Sequence, residues 1–256
     1  MNSADPTRNP VAYKDEEFLD SDEGRPLRIL AEYLEPLYAF QRQNICDTIV
    51  FFGSARITPD GPLGEYYKAA RELARLVTAW SESLPSNAHR YVVCTGGGPG
   101  IMEAANRGAS EAGGKTIGLN IGLPREQLPN PFLARELTFE FHYFFMRKLW
   151  FAHLARALVV FPGGYGTLDE MWEILTLMQT RKIDRHIPVV LYGSAYWNEI
   201  LDFGALVRYG MIDKEDLGLF RFADDPKAAL DILQSGIELS LEVPTPAVAH
   251  SKTLGK

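Results

Sequence analysis

Four short apolar runs in this chain stop at glycine and give way to a stretch of helical patterning. They are IVFFG (49–53), YVVCTGGG (91–98), ALVVFPGG (157–164) and IPVVLYG (187–193). KTIGLNI (115–121) and LTFEF (137–141) read as two further strands. Apolar residues recur at helical spacing over 64–83, 101–112, FFMRKLWFAHLA, TLDEMWEILTLMQT, 196–207 and DPKAALDILQSG. Unbroken Val, Ile and Leu runs separated by helices describe strands buried on both faces, hence a parallel sheet. The expected fold is α/β, a doubly wound parallel sheet with helices on both faces, in a single domain. Such a sheet binds its ligands beyond the carboxyl ends of the strands.

Residues 1–25 are polar and acidic and are expected to form a flexible or loosely docked extension. Residues 26–44 predict one or two short lead-in helices, so that the domain covers 26–240. Residues 241–256 are expected to be a flexible tail. No internal repeat or low-complexity tract is visible.

The chain carries 26 Lys and Arg against 33 Asp and Glu, a formal net charge of −7. That balance argues against general nucleic-acid binding, which rests on cations neutralising phosphates. No apolar run is long enough for a membrane span, and the N-terminus lacks a secretory profile. Cys46 and Cys94 have no C-x-x-C spacing, so a disulfide framework is excluded and a reducing, cytoplasmic setting is expected.

Two glycine loops carry the chemistry. The first, Thr95-Gly96-Gly97-Gly98-Pro99-Gly100, lies between a strand and a helix. Glycine lets backbone approach a ligand, and the N–H groups of a helix start favour an anion. The loop fits G-x-G-x-x-G only loosely. The next strand ends Leu119-Asn120-Ile121 without the acidic residue that holds the ribose of NAD, so NAD is disfavoured. Gly113-Gly114-Lys115-Thr116 fails as a P-loop, because Ala109 stands where its first glycine belongs and a strand follows.

The second loop, Pro162-Gly163-Gly164-Tyr165-Gly166-Thr167-Leu168-Asp169-Glu170, offers backbone donors, a hydroxyl and two carboxylates. Acidic residues in a first helical turn can also be simple dipole partners. Two loops at the carboxyl ends of one sheet can face a single crevice and hold one small phosphorylated ligand. Arg147 and Lys148 stand in the apolar surroundings of HYFFMRKLW, where a cation either snorkels or meets an anion. The histidines show no metal-ligand spacing, so no metal and no cofactor is expected.

GGGPGIMEAANRGA, FFMRK and PGGYGTLDE together resemble the LOG ("lonely guy") family, formerly labelled "possible lysine decarboxylase". The likeness runs from about residue 49 to 230 and is closer to longer bacterial members than to the short plant type. It implies a Rossmann-like domain that cleaves the N-glycosidic bond of AMP or of a cytokinin riboside 5′-monophosphate, giving free base and ribose 5-phosphate. It assigns Arg147 and Glu170 as the catalytic pair. Gly163, Gly164, Gly166 and Thr167 take the phosphate-contact positions, and Gly97, Gly98 and Gly100 belong to the nucleotide cradle. Asp169, where relatives often carry Glu, joins the substrate-binding set, as does Lys148. The resemblance also implies a homodimer or higher homo-oligomer. A pyridoxal decarboxylase carries little weight, since nothing marks Lys148 as a Schiff-base residue. The non-enzyme alternative is a carrier of nucleotide or molybdenum cofactor on the same fold.

Overall fold

The computed structural model describes residues 9–85, 88–122, 128–183 and 185–242. A seven-stranded sheet forms the middle layer. Its strands are β1 (Thr48–Phe52), β2 (Val92–Thr95), β3 (Thr116–Ile121), β4 (Thr138–Phe141), β5 (Ala155–Val160), β6 (Val189–Tyr192) and β7 (Phe220–Ala223). They lie in the order β4-β3-β2-β1-β5-β6-β7, and every pairing is parallel. The helices are α1 (Glu16–Asp20), α2 (Arg25–Arg42), α3 (Gly64–Ser83), α4 (Ile101–Glu111), α5 (Phe144–Leu154), α6 (Tyr165–Gln179), α7 (Ser194–Ile200), α8 (Phe203–Arg208) and α9 (Pro226–Glu242).

Strand side chains alternate between two cores because successive residues point to opposite faces. Ile49 and Phe51 pack with α3, α4 and α9, whereas Val50 and Phe52 pack with α2, α5 and α6. Val159 and Val190 join the first layer, and Val160 and Leu191 the second. This is the doubly wound α/β domain that the strand–helix alternation predicts.

Local differences have local causes. The lead-in is one continuous helix, α2, with Pro36 buried inside it. The helix expected over 196–207 is broken, because Leu201 is extended and the Asp202 carboxylate accepts the Ala205 N–H at 2.8 Å, starting α8 afresh. The edge strand β7 escaped the sequence reading; it is short and its middle residues are exposed. Within the extension, α1 is capped by Asp15 and tied to α2 by Arg28, which donates to the Leu19 and Ser21 carbonyls. Residues 241 and 242 close α9, and the rest of the expected tail lies outside the described residues. Among the described residues no helix is long and apolar enough to cross a membrane.

Candidate active site

The chain leaves β1 toward β2 on one side, while β5 pairs with β1 on the other. At such a switch point the loops beyond the strands diverge and open a crevice. A cavity of about 900 Å³ lies there, bounded by the loops after β1, β2 and β5, the end of β3 and residues of α5, α6 and α7.

Backbone conformation shapes the first glycine loop. Gly97 has φ +73° and Gly100 φ +70°, both in the region that side chains disfavour. A Cβ on Gly97 would strike the Asn120 amide, and one on Gly100 the Ser54 carbonyl. Buried asparagines hold the loop from behind. Asn130 Nδ2 donates to the carbonyls of Gly97 and Gly98, each at 3.1 Å, and to Asn106 Oδ1 at 2.8 Å. Gly96 gives room of another kind, since a Cβ there would collide with the Arg147 guanidinium.

The second loop runs into α6, whose helix starts at Tyr165 with Gly164 as its N-cap. The N–H groups of that first turn have no carbonyl one turn back to bind, and Gly163, Gly164, Tyr165, Gly166 and Thr167 line the cavity. Thr167 is buried against Gly163, and the Tyr196 hydroxyl donates to the Gly163 carbonyl at 2.8 Å. The helix begins earlier than the sequence suggests. Asp169 and Glu170 therefore sit in its second turn, too deep to serve as dipole partners of the first-turn N–H groups.

Arg147 reaches the cavity from α5. Glu32 of α2 fixes the start of that helix, its carboxylate accepting the N–H groups of His142 at 2.8 Å and Tyr143 at 3.2 Å. Arg147 Nε donates to the Leu119 carbonyl at 2.7 Å, and its guanidinium carbon lies 5.2 Å from the centre of the Phe151 ring. Its Nη1 stands 3.4 Å from Glu170 Oε1. Both side chains are mostly buried. Burial pushes the Glu170 carboxyl up to about 7, outweighing the pull of Arg147 and Lys148. Burial also lowers the Arg147 guanidinium, against the opposing effect of Glu170. The result is a poorly solvated carboxyl poised near neutrality beside a cation.

The structure thus brings Arg147, Glu170, Gly98, Gly163, Gly164, Gly166 and Thr167 to one cavity. Gly97 and Gly100 shape the first loop from outside the lining. Lys148 and Asp169 do not line the cavity. Lys148 Nζ is held by Asp169 at 2.7 Å and Glu173 at 3.2 Å, an ion cluster linking α5 to α6. Sequence reasoning passed over the wall formed by Ser54, Ala55, Arg56, Ile57 and Thr58, and over Asn120 at the end of β3. The signal for the wall was present: IVFFG ends at glycine as the other ligand-facing strands do.

A model of the family described as "Possible lysine decarboxylase" matches residues 102–233, over half of the chain and including both Arg147 and Glu170. The chain belongs to this family. The family's description does not fit the site as a pyridoxal centre. That cofactor needs a lysine for its Schiff base; among the described residues no lysine lines the cavity, and Lys148 is engaged by two carboxylates outside it.

Among similar sequences is a rice protein (Oryza sativa subsp. japonica) named "Probable cytokinin riboside 5′-monophosphate phosphoribohydrolase", 33% identical over 115 residues, 44% of this chain. A cytokinin riboside 5′-monophosphate phosphoribohydrolase of Arabidopsis thaliana is 27% identical over 64% of this chain. The pyrimidine/purine nucleotide 5′-monophosphate nucleosidase of Escherichia coli strain K12 is 33% identical over 43%. The chain spans 45% of the rice relative's length, 70% of the Arabidopsis relative's and 26% of the bacterial one's. An X-ray structure from a structural genomics programme matches with a TM-score of 0.53 at 23% identity, covering 74% of this chain and 99% of that one. The Moco carrier protein from Chlamydomonas reinhardtii gives 0.50 at 24% identity, covering 77% of this chain and 99% of that one. Both structural likenesses are likenesses of fold.

Proposed function

We propose that this protein is a nucleoside 5′-monophosphate phosphoribohydrolase. It hydrolyses the N-glycosidic bond of AMP, or of an N6-modified cytokinin riboside 5′-monophosphate, to free base and ribose 5-phosphate. The observation that carries this reading is the desolvated Glu170 carboxyl, 3.4 Å from Arg147, beside a glycine-lined helix start in one cavity.

The chemistry follows from those groups. The phosphate sits at the first turn of α6, where Gly164, Gly166 and Thr167 present backbone N–H groups and a hydroxyl. As the C1′–N bond breaks, its electron pair leaves with the base and the sugar becomes cationic. Ionised Glu170 stabilises that cation and takes a proton from the water that attacks C1′. The proton that Glu170 takes from this water passes on to the departing base, which balances the reaction. Arg147 pairs with Glu170 and orients it. Lys148 and Asp169 act at one remove, fixing α5 against α6. The relatives' names accord with this reaction, and the Arg147–Glu170 pair favours it over a carrier of nucleotide or molybdenum cofactor.

The test is chromatography of AMP and N6-isopentenyl-AMP after incubation with purified protein, beside Glu170→Gln. Base and ribose 5-phosphate are expected from the parent, and a loss of roughly 10²–10⁴-fold in the variant. A variant that releases base at the parent rate removes Glu170 from the mechanism.

The enzyme works as a homodimer or higher homo-oligomer. Phe144 and Phe145 of α5 are 53% and 51% exposed, and Leu27, Leu30, Leu34 and Tyr38 form an exposed apolar stripe on α2. Apolar patches of this kind mark association surfaces. Sedimentation showing single-chain particles alone would refute the assembly. A reducing cytoplasmic setting accords with Cys46 and Cys94, both unpaired.

A further inference from the structure

The loop after β1 is the least explained wall of the cavity. Ser54 lies between the two glycine loops and is bonded to both. Its N–H donates to the Pro162 carbonyl at 3.0 Å, and its carbonyl accepts the N–H of Ile101, the first residue of α4, at 3.1 Å. Its hydroxyl accepts the N–H of Arg56 at 3.1 Å. Both neighbouring loops therefore set the position of Arg56, although it lies on a connection rather than on a helix or strand.

Arg56 lines the cavity and is exposed. Among the described residues no carboxylate stands within ion-pair distance of it. Among the described residues the other charged ones lining the cavity are Arg147 and Glu170, and these two face each other. A ligand phosphate carries close to two negative charges and enters a protein of net charge −7. The N–H groups of α6 supply partial charges only, of the order of half an elementary charge in all. Arg56 supplies the full, uncommitted positive charge that such an anion calls for, in a planar fork suited to phosphate oxygens.

We propose that Arg56 binds the phosphate of the substrate, closing on it from the β1 side of the cavity while the first turn of α6 holds it from the β5 side. This rests on the nucleotide reading of the site given above. It adds a phosphate ligand from a third loop, outside both glycine motifs. It also divides the labour between the two arginines: Arg56 takes the phosphate charge, and Arg147 remains with Glu170.

The experiment compares the parent with Arg56→Ala and Arg56→Lys. Two inhibition constants are measured during base release from AMP, one for ribose 5-phosphate and one for adenine, together with KM and kcat. Thermal melting checks that the variants fold. In Arg56→Ala, ribose 5-phosphate is expected to inhibit at least tenfold more weakly and KM for AMP to rise similarly. Adenine inhibition and kcat should stay within about twofold. Arg56→Lys should recover part of the loss. If ribose 5-phosphate inhibits Arg56→Ala as it does the parent, Arg56 is not a phosphate ligand. Equal weakening of adenine and ribose 5-phosphate would overturn the assignment too, because it would mean that the whole cavity had deformed. A parent that neither releases base nor binds ribose 5-phosphate refutes the nucleotide reading itself, which is a different result from a parent that works and a variant that matches it.

Discussion

At Glu170, desolvation competes with a cation and wins. An exposed glutamate ionises near pH 4.5, while this one is pushed up to about 7 by burial despite Arg147 at 3.4 Å. Two consequences differ in sign. The proposed reaction uses the carboxylate, so kcat/KM for AMP should rise with pH through an apparent pKa near 7. Stability should run the other way. A carboxyl whose folded pKa lies above its unfolded value favours the fold fully below the unfolded value, about 4.5, and that contribution is lost as pH rises through about 7. The melting temperature of the parent, measured relative to Glu170→Gln, should therefore fall between pH 5 and pH 8. A pH-independent difference would mean that Glu170 ionises normally. The sequence brought Glu170 and Arg147 forward through their motifs, but neither motif states how deeply a carboxyl is buried. That depends on side chains such as Phe151 packing around the pair.

At the level of elements, the site depends on loops whose shape is fixed before any ligand arrives. Gly97 combines φ +73° with a position where a Cβ would strike the Asn120 amide. Gly97→Ala should therefore cost roughly 1–3 kcal/mol of stability, the usual price of holding a side chain in a disfavoured backbone region. It should also raise KM for AMP, since Asn120 lines the cavity and would be pushed into it. Denaturant unfolding and steady-state kinetics on one preparation check both; unchanged stability would mean that the loop relaxes at little cost. The glycines of this loop were legible as a cradle because glycine after a strand has few other uses. Their division of labour was not: Gly98 lines the cavity, Gly96 makes room for Arg147, and Gly97 and Gly100 allow the turn. Asn106 and Asn130, which hold the loop, could not be found either. A buried asparagine is recognised by its hydrogen bonds, and those join residues far apart in the chain.

Across the whole molecule, the two ends of the sheet do different work. The parallel sheet was legible, because apolar runs ending in glycine and alternating with helices leave few other arrangements, whereas the order of its strands was not. The short edge strand β7 was not, since two exposed residues in four give no apolar run to read. The carboxyl ends of the strands carry the cavity. The entry to β1 carries a buried acidic anchor instead. Asp47 is 2% exposed; its carboxylate accepts the Tyr91 N–H at 2.6 Å and the Arg90 Nη2 at 2.9 Å, with Arg156 Nε at 3.6 Å. These contacts tie β1 to the chain entering β2 and to β5, at the opposite end from Glu170. Tyr91 is held there at φ +52°, a conformation that the hydrogen bond to Asp47 helps to maintain. Asp47→Ala removes the partner of a buried N–H and leaves two arginines without their counter-charge. It should cost about 3 kcal/mol of stability. Because the cavity is built from the other ends of the strands, KM and kcat measured well below the melting temperature should stay close to the parent values. A variant of unchanged stability would show that the arginines find water or other partners at no cost. A variant stable but inactive would show that strain at the entry of β1 reaches the loops at its exit, and the two ends of the sheet would then have to be treated as one mechanical unit.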